Sequence, residues 1–455
     1  MLARKKVDAT QGPLVKLIFS FAIPLILTTI AQDLFNITDK AVLGNMAGSA
    51  AVASIGATGT ITQLIINGAV GLSTGTSIVL ARFIGKKDEK NIRSTIDTAL
   101  ITSVIFGAIV AVAGVILAPF FLTATGCPQE CYDGALIYIR VYISAAPFTL
   151  LYNYAAAILR TLGDTRRPLA YIITGGIVNV VLNVILCLIL PQKVAAVAIA
   201  TVASKVISAL LATRRLCRLE GSARVSIPQM RFGWEAFKRI FRFGIPVSVS
   251  NMILPFANLQ IVSAINSFGV DAVAGFSASS SAGSIIVAFS AGFGSATTTF
   301  MGQNIGAKNI DRVKRSFWYS AGFNVLISGA LGALVFLSGR FWIGLIVGFD
   351  ATASIEYGMV RMFYVTLFYF ISSINRSFSG ALQAFGYPFL TSVSNIVFTL
   401  GFRILWMQLI YPKMPTFAMI NACFTVSWTL NMIFYGIFFA FVYTRYVKKG
   451  ICKKI

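Results

Sequence analysis

Apolar residues run along this chain in long blocks, not in the alternation of a strand or the one-sided stripe of a surface helix. Crossing a bilayer as a helix takes about 20 such residues, and blocks of that length recur throughout the 455 residues. They predict twelve transmembrane helices near 14–41, 51–81, 94–122, 135–159, 168–190, 194–216, 238–266, 273–301, 317–347, 354–383, 388–411 and 417–446. Most of the segments between them are short. The expected fold class is an all-α membrane protein.

The chain also repeats itself at a shift of about 221–223 residues. FAIPLILTTI (21–30) is similar to FGIPVSVSNM (243–252), and GLSTGTSIVLARFIGKKDEKNIRS (71–94) to GFGSATTTFMGQNIGAKNIDRVKRS (292–316). AILRTLGDTRRPLAYIITGGIVNVVLN (157–183) answers GALQAFGYPFLTSVSNIVFTLGFRILW (380–406). Each half therefore holds six predicted spans. An even number returns the chain to its starting side, so the halves share one orientation and are expected to be related by a pseudo-twofold axis along the membrane normal, with sites near the repeat interface. The expected organisation is an ion-coupling lobe at 1–216, a cytoplasmic linker at 217–237 and a second six-helix lobe at 238–455.

Composition agrees. The chain is 57% hydrophobic and 12% charged, whereas soluble domains carry roughly 45–50% apolar and about 25% charged residues. A net charge of +23 raises the question of nucleic acid, but its distribution answers it. With the N-terminus inside, basic residues crowd the inner segments: Arg4, Lys5, Lys6 and Lys16; Arg82, Lys86, Lys87, Lys90 and Arg93; Arg160, Arg166 and Arg167; Lys308, Arg312, Lys314 and Arg315; and the run from Arg214 to Arg242. The tail adds Arg445, Lys448, Lys449, Lys453 and Lys454, while the outer loops hold little beyond Lys193, Arg340 and Lys413. This is the positive-inside asymmetry, and it predicts a multi-pass inner or plasma membrane protein with both termini cytoplasmic. No nucleic-acid partner is expected.

Histidine is absent, which removes imidazole metal sites and histidine-based triads. The six cysteines form no C-x-x-C pattern. Cys127 and Cys131 share an outer loop and either pair or stay free; Cys187, Cys217, Cys423 and Cys452 are isolated. The first apolar run is too long for the h-region of a signal peptide and is read as a retained helix.

Of the 15 acidic residues, only Asp33 and Asp39 share one long apolar run. A carboxylate in hydrocarbon is costly, and intramembrane acids mark ion or proton paths. With Gln32 at zero on a helical wheel, Asn36 falls at about 40°, Asp39 at about −20°, Lys40 at about 80° and Asp33 at about 100°. This polar stripe is expected to face the interior of the first lobe, leaving Leu34, Phe35, Ile37 and Thr38 for the remainder. The alternative, Asp39 at the outer interface, follows from its rise of about 34 Å above Lys16. Candidate partners are Asn179 and Asn183, one turn apart on one face, with Thr201 and Asn153 on neighbouring spans. Together they offer a carboxylate, amide carbonyls and a hydroxyl, the oxygens a hard cation takes. Lys205 lies in mid-membrane and is expected to contact Asp33 or Asp39; Lys40 either pairs with one of them or reaches the outer surface.

The pattern of Gln32, Asn36 and Asp39 followed by Gly44, the run from Gly71 to Gly85, LRTLGDTRRP at 159–168, and Gly386 and Arg403 together resemble the multidrug and toxic compound extrusion (MATE) family. That resemblance covers essentially the whole chain. It implies a V-shaped pair of six-helix lobes, alternating access, and export of drugs driven by entry of H⁺ or Na⁺. It also implies Asp39, Asn179, Asn183 and Thr201 as the first-lobe cation site, a metal site only where the ion is Na⁺. Asn183 stands where some relatives have an acid. In the second lobe, Leu254 or Pro255 and Ser372 or Ser373 stand where the sodium-dependent branch has acids, so the chain is similar to the branch with a single-lobe ion site. The first helix is expected to bend near Pro24. Met252, Asn258, Tyr364, Phe368, Tyr369 and Arg403 are the candidates for binding amphipathic organic cations, by ring faces and by adaptable surfaces. The expected partners are such cations and membrane lipid, with no cofactor beyond the coupling ion, and the chain is expected to act as a monomer. Competing readings are a flippase for lipid-linked saccharides, which Arg140, Arg361, Arg376 and Arg403 keep open, an intramembrane transferase, which would need clustered acids, and a channel.

Overall fold

The computed structural model of the protein describes residues 8–124 and 127–449. The side chains of Asn36, Lys40 and Leu254 lie outside the described residues, as do those of the terminal basic residues Arg4–Lys6, Lys448, Lys449, Lys453 and Lys454, and Cys452. The described chain is helical throughout. Its first half comprises α1 (Leu14–Ala57), α2 (Gly59–Lys86), α3 (Glu89–Ala124), α4 (Gln129–Ser144), α5 (Ala146–Thr161), α6 (Arg166–Ile189) and α7 (Lys193–Cys217). The second comprises α8 (Trp234–Ala257), α9 (Leu259–Asn266), α10 (Val270–Gly306), α11 (Ile310–Leu337), α12 (Gly339–Val347), α13 (Thr352–Arg361), α14 (Tyr369–Ala384), α15 (Pro388–Asn395), α16 (Phe402–Leu405) and α17 (Phe417–Lys449). Where the bilayer offers no water, a helix satisfies every backbone group within its own segment, so long apolar runs have this outcome open to them.

Among the described residues, ten helices are long and apolar enough to cross a membrane, and α4 with α5, bent by 47°, makes an eleventh. The expected seventh span, 238–266, is carried by α8 and α9 on either side of Asn258. Several boundaries differ from expectation: the second span starts at Gly59, not 51, and the expected 317–347 is divided between α11 and α12. The first helix does not end near 41 but continues to Ala57, because its Ala-rich continuation contains no proline to stop it. Cys127 and Cys131 are not bridged to each other.

The helices form two compact units. The first runs from Leu27 to Met252; the second combines Asp8–Ile26 with the chain from Ile253 onward. Thus α1 contributes its opening turns, Pro24 included, to the second unit and the rest to the first, and the helix remains continuous through Pro24. Glycines make both arrangements possible. In the first unit a Cβ at Gly71 would meet the Ser248 backbone at 2.2 Å, and one at Gly75 the Gly244 nitrogen at 2.5 Å. In the second, a Cβ at Gly292 would meet Ile26 at 2.6 Å and the Ala22 carbonyl at 3.1 Å. Gly71 and Gly292 are equivalent positions of the sequence repeat, and so are the helices packed on them. Small residues permit such backbone approach within membranes.

In the second unit the segment ahead of α1 is held by hydrogen bonds. Arg312 donates from Nε to the Ala9 carbonyl at 2.8 Å and from Nη2 to Gln11 and Gly12 at 2.8 and 2.9 Å. Asn304 Nδ2 donates to the same Ala9 carbonyl at 3.0 Å.

Because backbone opposes it, a side chain at Gly71 has nowhere to go. Gly71→Val is expected to cost about 1–3 kcal/mol through overpacking and to lower the melting temperature in detergent. Gly322→Val, where a Cβ meets nothing within 4 Å, is the control and is expected to leave it unchanged.

Candidate functional site

In the first unit a chain of polar side chains starts from the half-buried Asp39. Asp39 Oδ1 accepts a hydrogen bond from Asn183 Nδ2 at 2.6 Å. The same Nδ2 reaches Asn179 Oδ1 at 3.3 Å, and Asn179 Nδ2 donates to Thr201 Oγ1 at 3.4 Å. Thr201 passes the chain on to the Val197 carbonyl at 2.9 Å. Three helices therefore contribute: α1 the acid, α6 the two amides and α7 the hydroxyl. Asn179 and Asn183 are buried, and Asn183 Oδ1 has no hydrogen-bond partner.

Local sequence explains why these helices meet. The residue that sequence reasoning left to lipid, Phe35, is what docks α1 on α6: a Cβ on Gly176 would lie 2.0 Å from its ring. Leu43, two turns beyond, is fully buried. Phe35, Asp39 and Leu43 recur every fourth position, so the buried face of α1 is an apolar ridge with Asp39 at its centre. The expected polar stripe is corrected accordingly. Gln32 and Asp33 are exposed, while Leu34 and Ile37 are 57% and 63% exposed. Packing of the two apolar residues set the rotation of the helix, and polarity alone misjudged it. The side chain of Asn36 is outside the described residues.

Other candidates fall in different places. Asn153 Nδ2 donates to Thr149 on its own helix at 2.8 Å and does not join the Asp39 chain. Lys205, one turn from Thr201 on α7, lies 4.8 Å above the Tyr142 ring. Among the described residues it forms no ion pair with Asp33 or Asp39, but its charge is within Coulombic reach of Asp39. Tyr142 stacks on Tyr138 at 5.8 Å, and both rings belong to the apolar cluster around Leu43. Sequence reasoning missed this tyrosine pair, although its i, i+4 spacing was visible. It also missed Lys193, whose ammonium donates to the Cys187 and Leu190 carbonyls at 2.6 and 2.9 Å. That bond closes the end of α6 and ties it to the start of α7, which sets Asn179 against Thr201. Cationic groups at a helix C-terminus are favourable on both hydrogen-bonding and dipole grounds.

The candidates for binding cargo are divided. Met252 belongs to the first unit, where Ser248 donates to its sulfur at 3.9 Å. The second unit holds the others. Arg403 Nη1 donates to Asn258 Oδ1 at 3.0 Å, and Tyr369 stacks on Trp428 at 5.4 Å. The Tyr364 ring stands edge-on to Phe363 at 5.1 Å, and Phe368 lies 6.1 Å from Phe370. Among the described residues no cluster of three acids, cysteines or histidines exists.

A polytopic helical protein built from two matching halves, with a carboxylate hydrogen-bonded within the bundle, has the build of a transporter. The MatE family model matches twice, over residues 24–185 and 246–407, and these two stretches coincide with the internal repeat. The chain belongs to the MatE family, a family of membrane transporters. It is 26% identical over 397 residues to "Probable multidrug resistance protein YpnP" of Bacillus subtilis, covering 86% of this chain and 87% of that one. It is 25% identical to an "FAD transporter" of Shewanella oneidensis over 69% of this chain and 70% of the relative. Its fold is that of a MOP superfamily transporter from Pyrococcus furiosus, at TM-score 0.87 and 22% identity, with 97% of this chain and 99% of the other covered.

Loss of the α6–α7 tie is directly measurable. Lys193→Met removes two charge-assisted hydrogen bonds and is expected to cost about 1.5–3 kcal/mol of stability, read as a lower melting temperature; an unchanged melt would show that the tie does not hold the helices.

Proposed function

We propose that the protein is a cation-coupled antiporter that exports amphipathic organic cations by alternating access, with coupling in the amino-terminal half, 1–216. The single observation that carries this reading is the Asp39–Asn183–Asn179–Thr201 chain: one half-buried carboxylate linked to two buried amides and a buried hydroxyl on two other helices, with Asn183 Oδ1 unsatisfied. The relatives whose printed names speak of multidrug resistance support the cargo class.

The coupling ion is H⁺ or Na⁺, bound at Asp39. The donor set contains hard oxygens that suit Na⁺, yet Asn183 turns its amide nitrogen, not its carbonyl, toward Asp39, and the Lys205 ammonium is nearby. Both features count against a bound Na⁺. In the cycle, the ion enters at Asp39 from outside, α1 bends near Pro24, and affinity for cargo falls. Cargo leaves, the protein turns to the cytoplasm, and release of the ion there restores the cargo-binding form. A charge moving inward along about 100 mV supplies about 2.3 kcal/mol, enough for roughly fifty-fold accumulation. Ion and cargo must weaken each other's binding by one common factor. The protein works as a monomer in the inner or plasma membrane with both termini cytoplasmic.

Asp39→Asn is expected to abolish efflux of a cationic dye from proteoliposomes while leaving expression and melting temperature intact. Full efflux by that variant would end the assignment. Imposing pH and sodium gradients separately identifies the ion: efflux is expected to follow the pH gradient. Lys205→Met is expected to alter the pH dependence of efflux, and an unchanged profile would remove Lys205 from the coupling site.

A further inference from the structure

A guanidinium buried without a counter-ion is costly, since what it loses in water must be regained from protein groups. The second unit buries two of them. Arg361 and Arg403 are each 5% exposed, and among the described residues neither forms an ion pair. Arg403 is partly satisfied by Asn258 and, at 3.4 Å, by Ser427, and lies 4.3 Å above the Phe424 ring. Arg361 lies 4.7 Å above the Phe276 ring, and its Nε and Nη1 have no hydrogen-bond partner.

Neighbouring contacts bring both arginines to one stretch of α17. The Tyr357 ring meets Phe417 at 4.9 Å, and the Thr425 hydroxyl donates to the Tyr364 carbonyl. Numbers rise together on the two elements, so α13 and its continuation run parallel to α17. Arg361, between Tyr357 and Tyr364, is therefore level with the turn Asn421–Phe424. Phe424 is the ring beneath Arg403, and Asn421 Oδ1 is buried without a partner. Acids of this unit lie elsewhere: Asp271 accepts from Ser354, Glu356 holds Arg340 at 2.6 Å, Asp8 precedes α1, Asp311 opens α11 and Asp350 precedes α13.

The backbone is unusual at the same two points. Arg361 immediately precedes a π-helical stretch, Met362–Thr366, and Arg403 sits in the short α16 between two more, Ile396–Gly401 and Trp406–Ile410. Such widened turns recur at functional sites.

We propose that Arg361 and Arg403 form a subsite for the carboxylate or phosphate of a flat aromatic anion, with Phe276 and Phe424 beside its rings. A guanidinium takes such an anion through charge-assisted hydrogen bonds, and the unused Nε and Nη1 donors of Arg361 are available for them. The subsite extends the cargo of the antiporter beyond organic cations and rests on the transport reading above. It also explains why two charges without counter-ions are retained in a membrane: the cargo supplies the missing partner.

The test is binding of carboxyfluorescein to the purified full-length protein in nanodiscs of phosphatidylcholine, followed by fluorescence anisotropy. Arg361→Gln is expected to weaken binding by about tenfold or more, the loss of a charge-assisted hydrogen bond, while keeping or raising the melting temperature, since it relieves a buried unpaired charge. A merely structural arginine would give the opposite pair of results. Arg403→Gln is the second variant, with a similar loss expected. Binding is read without any ion gradient, so failure of the coupling reading leaves this one standing, and Arg340→Gln, at an exposed arginine, is expected to bind the dye as the native protein does. The proposal is overturned by absence of binding to the native protein, by unchanged affinity in Arg361→Gln, or by displacement of the dye when phosphatidylglycerol replaces phosphatidylcholine, which would make the pair a lipid site.

Discussion

Hydrocarbon tolerates neither an isolated charge nor an unpaired polar group, and nearly every feature of this protein follows from that intolerance. It imposes helix on every spanning segment. It drives Lys193 onto carbonyls at the end of α6 and links Asp39, Asn183, Asn179 and Thr201 in one sequence of hydrogen bonds. The rule has exceptions. Asn183 Oδ1 and Arg361 Nε and Nη1 are buried and unsatisfied, as are other polar atoms of the bundle such as Tyr154 OH and Asn324 Oδ1.

The second organising element is duplication. Two matches of one family model coincide with a repeat readable in the glycines, prolines and basic loops. Within each unit the repeat produces the same contact. Gly71 admits α8 and Gly292 admits α1, each at distances a Cβ would forbid. Yet the chemistry of the halves has diverged. The first unit holds the half-buried Asp39 and buries Asp97 and Arg82, whereas the second buries Arg361 and Arg403.

Much of the site was legible beforehand. Asp39, Asn179, Asn183 and Thr201 were recognisable because each is a polar residue where burial makes polarity expensive, and the structure links all four. Gln32 and Asp33 shared that signal and proved to be exposed. The difference lay in Phe35 and Leu43, ordinary apolar residues whose importance depends on Gly176 of another helix being bare. Asn153 turned back to its own helix, an option open to any amide near a carbonyl one turn away. Lys205 found a tyrosine face, not an acid, because Tyr142 on α4 lay within reach.

By itself the sequence determined the class of the protein, its helical content and its duplication, and it singled out Asp39. Those are consequences of how many apolar residues run together and which polar ones interrupt them, properties that need no knowledge of neighbours. Tertiary structure alone decided the rotation of α1, the division of that helix between two units, the continuation to Ala57 and the seating of Arg361 over Phe276 and of Arg403 over Phe424. Each of these is settled by contacts between residues far apart in sequence, and local pattern carries no information about which ring or glycine will stand opposite.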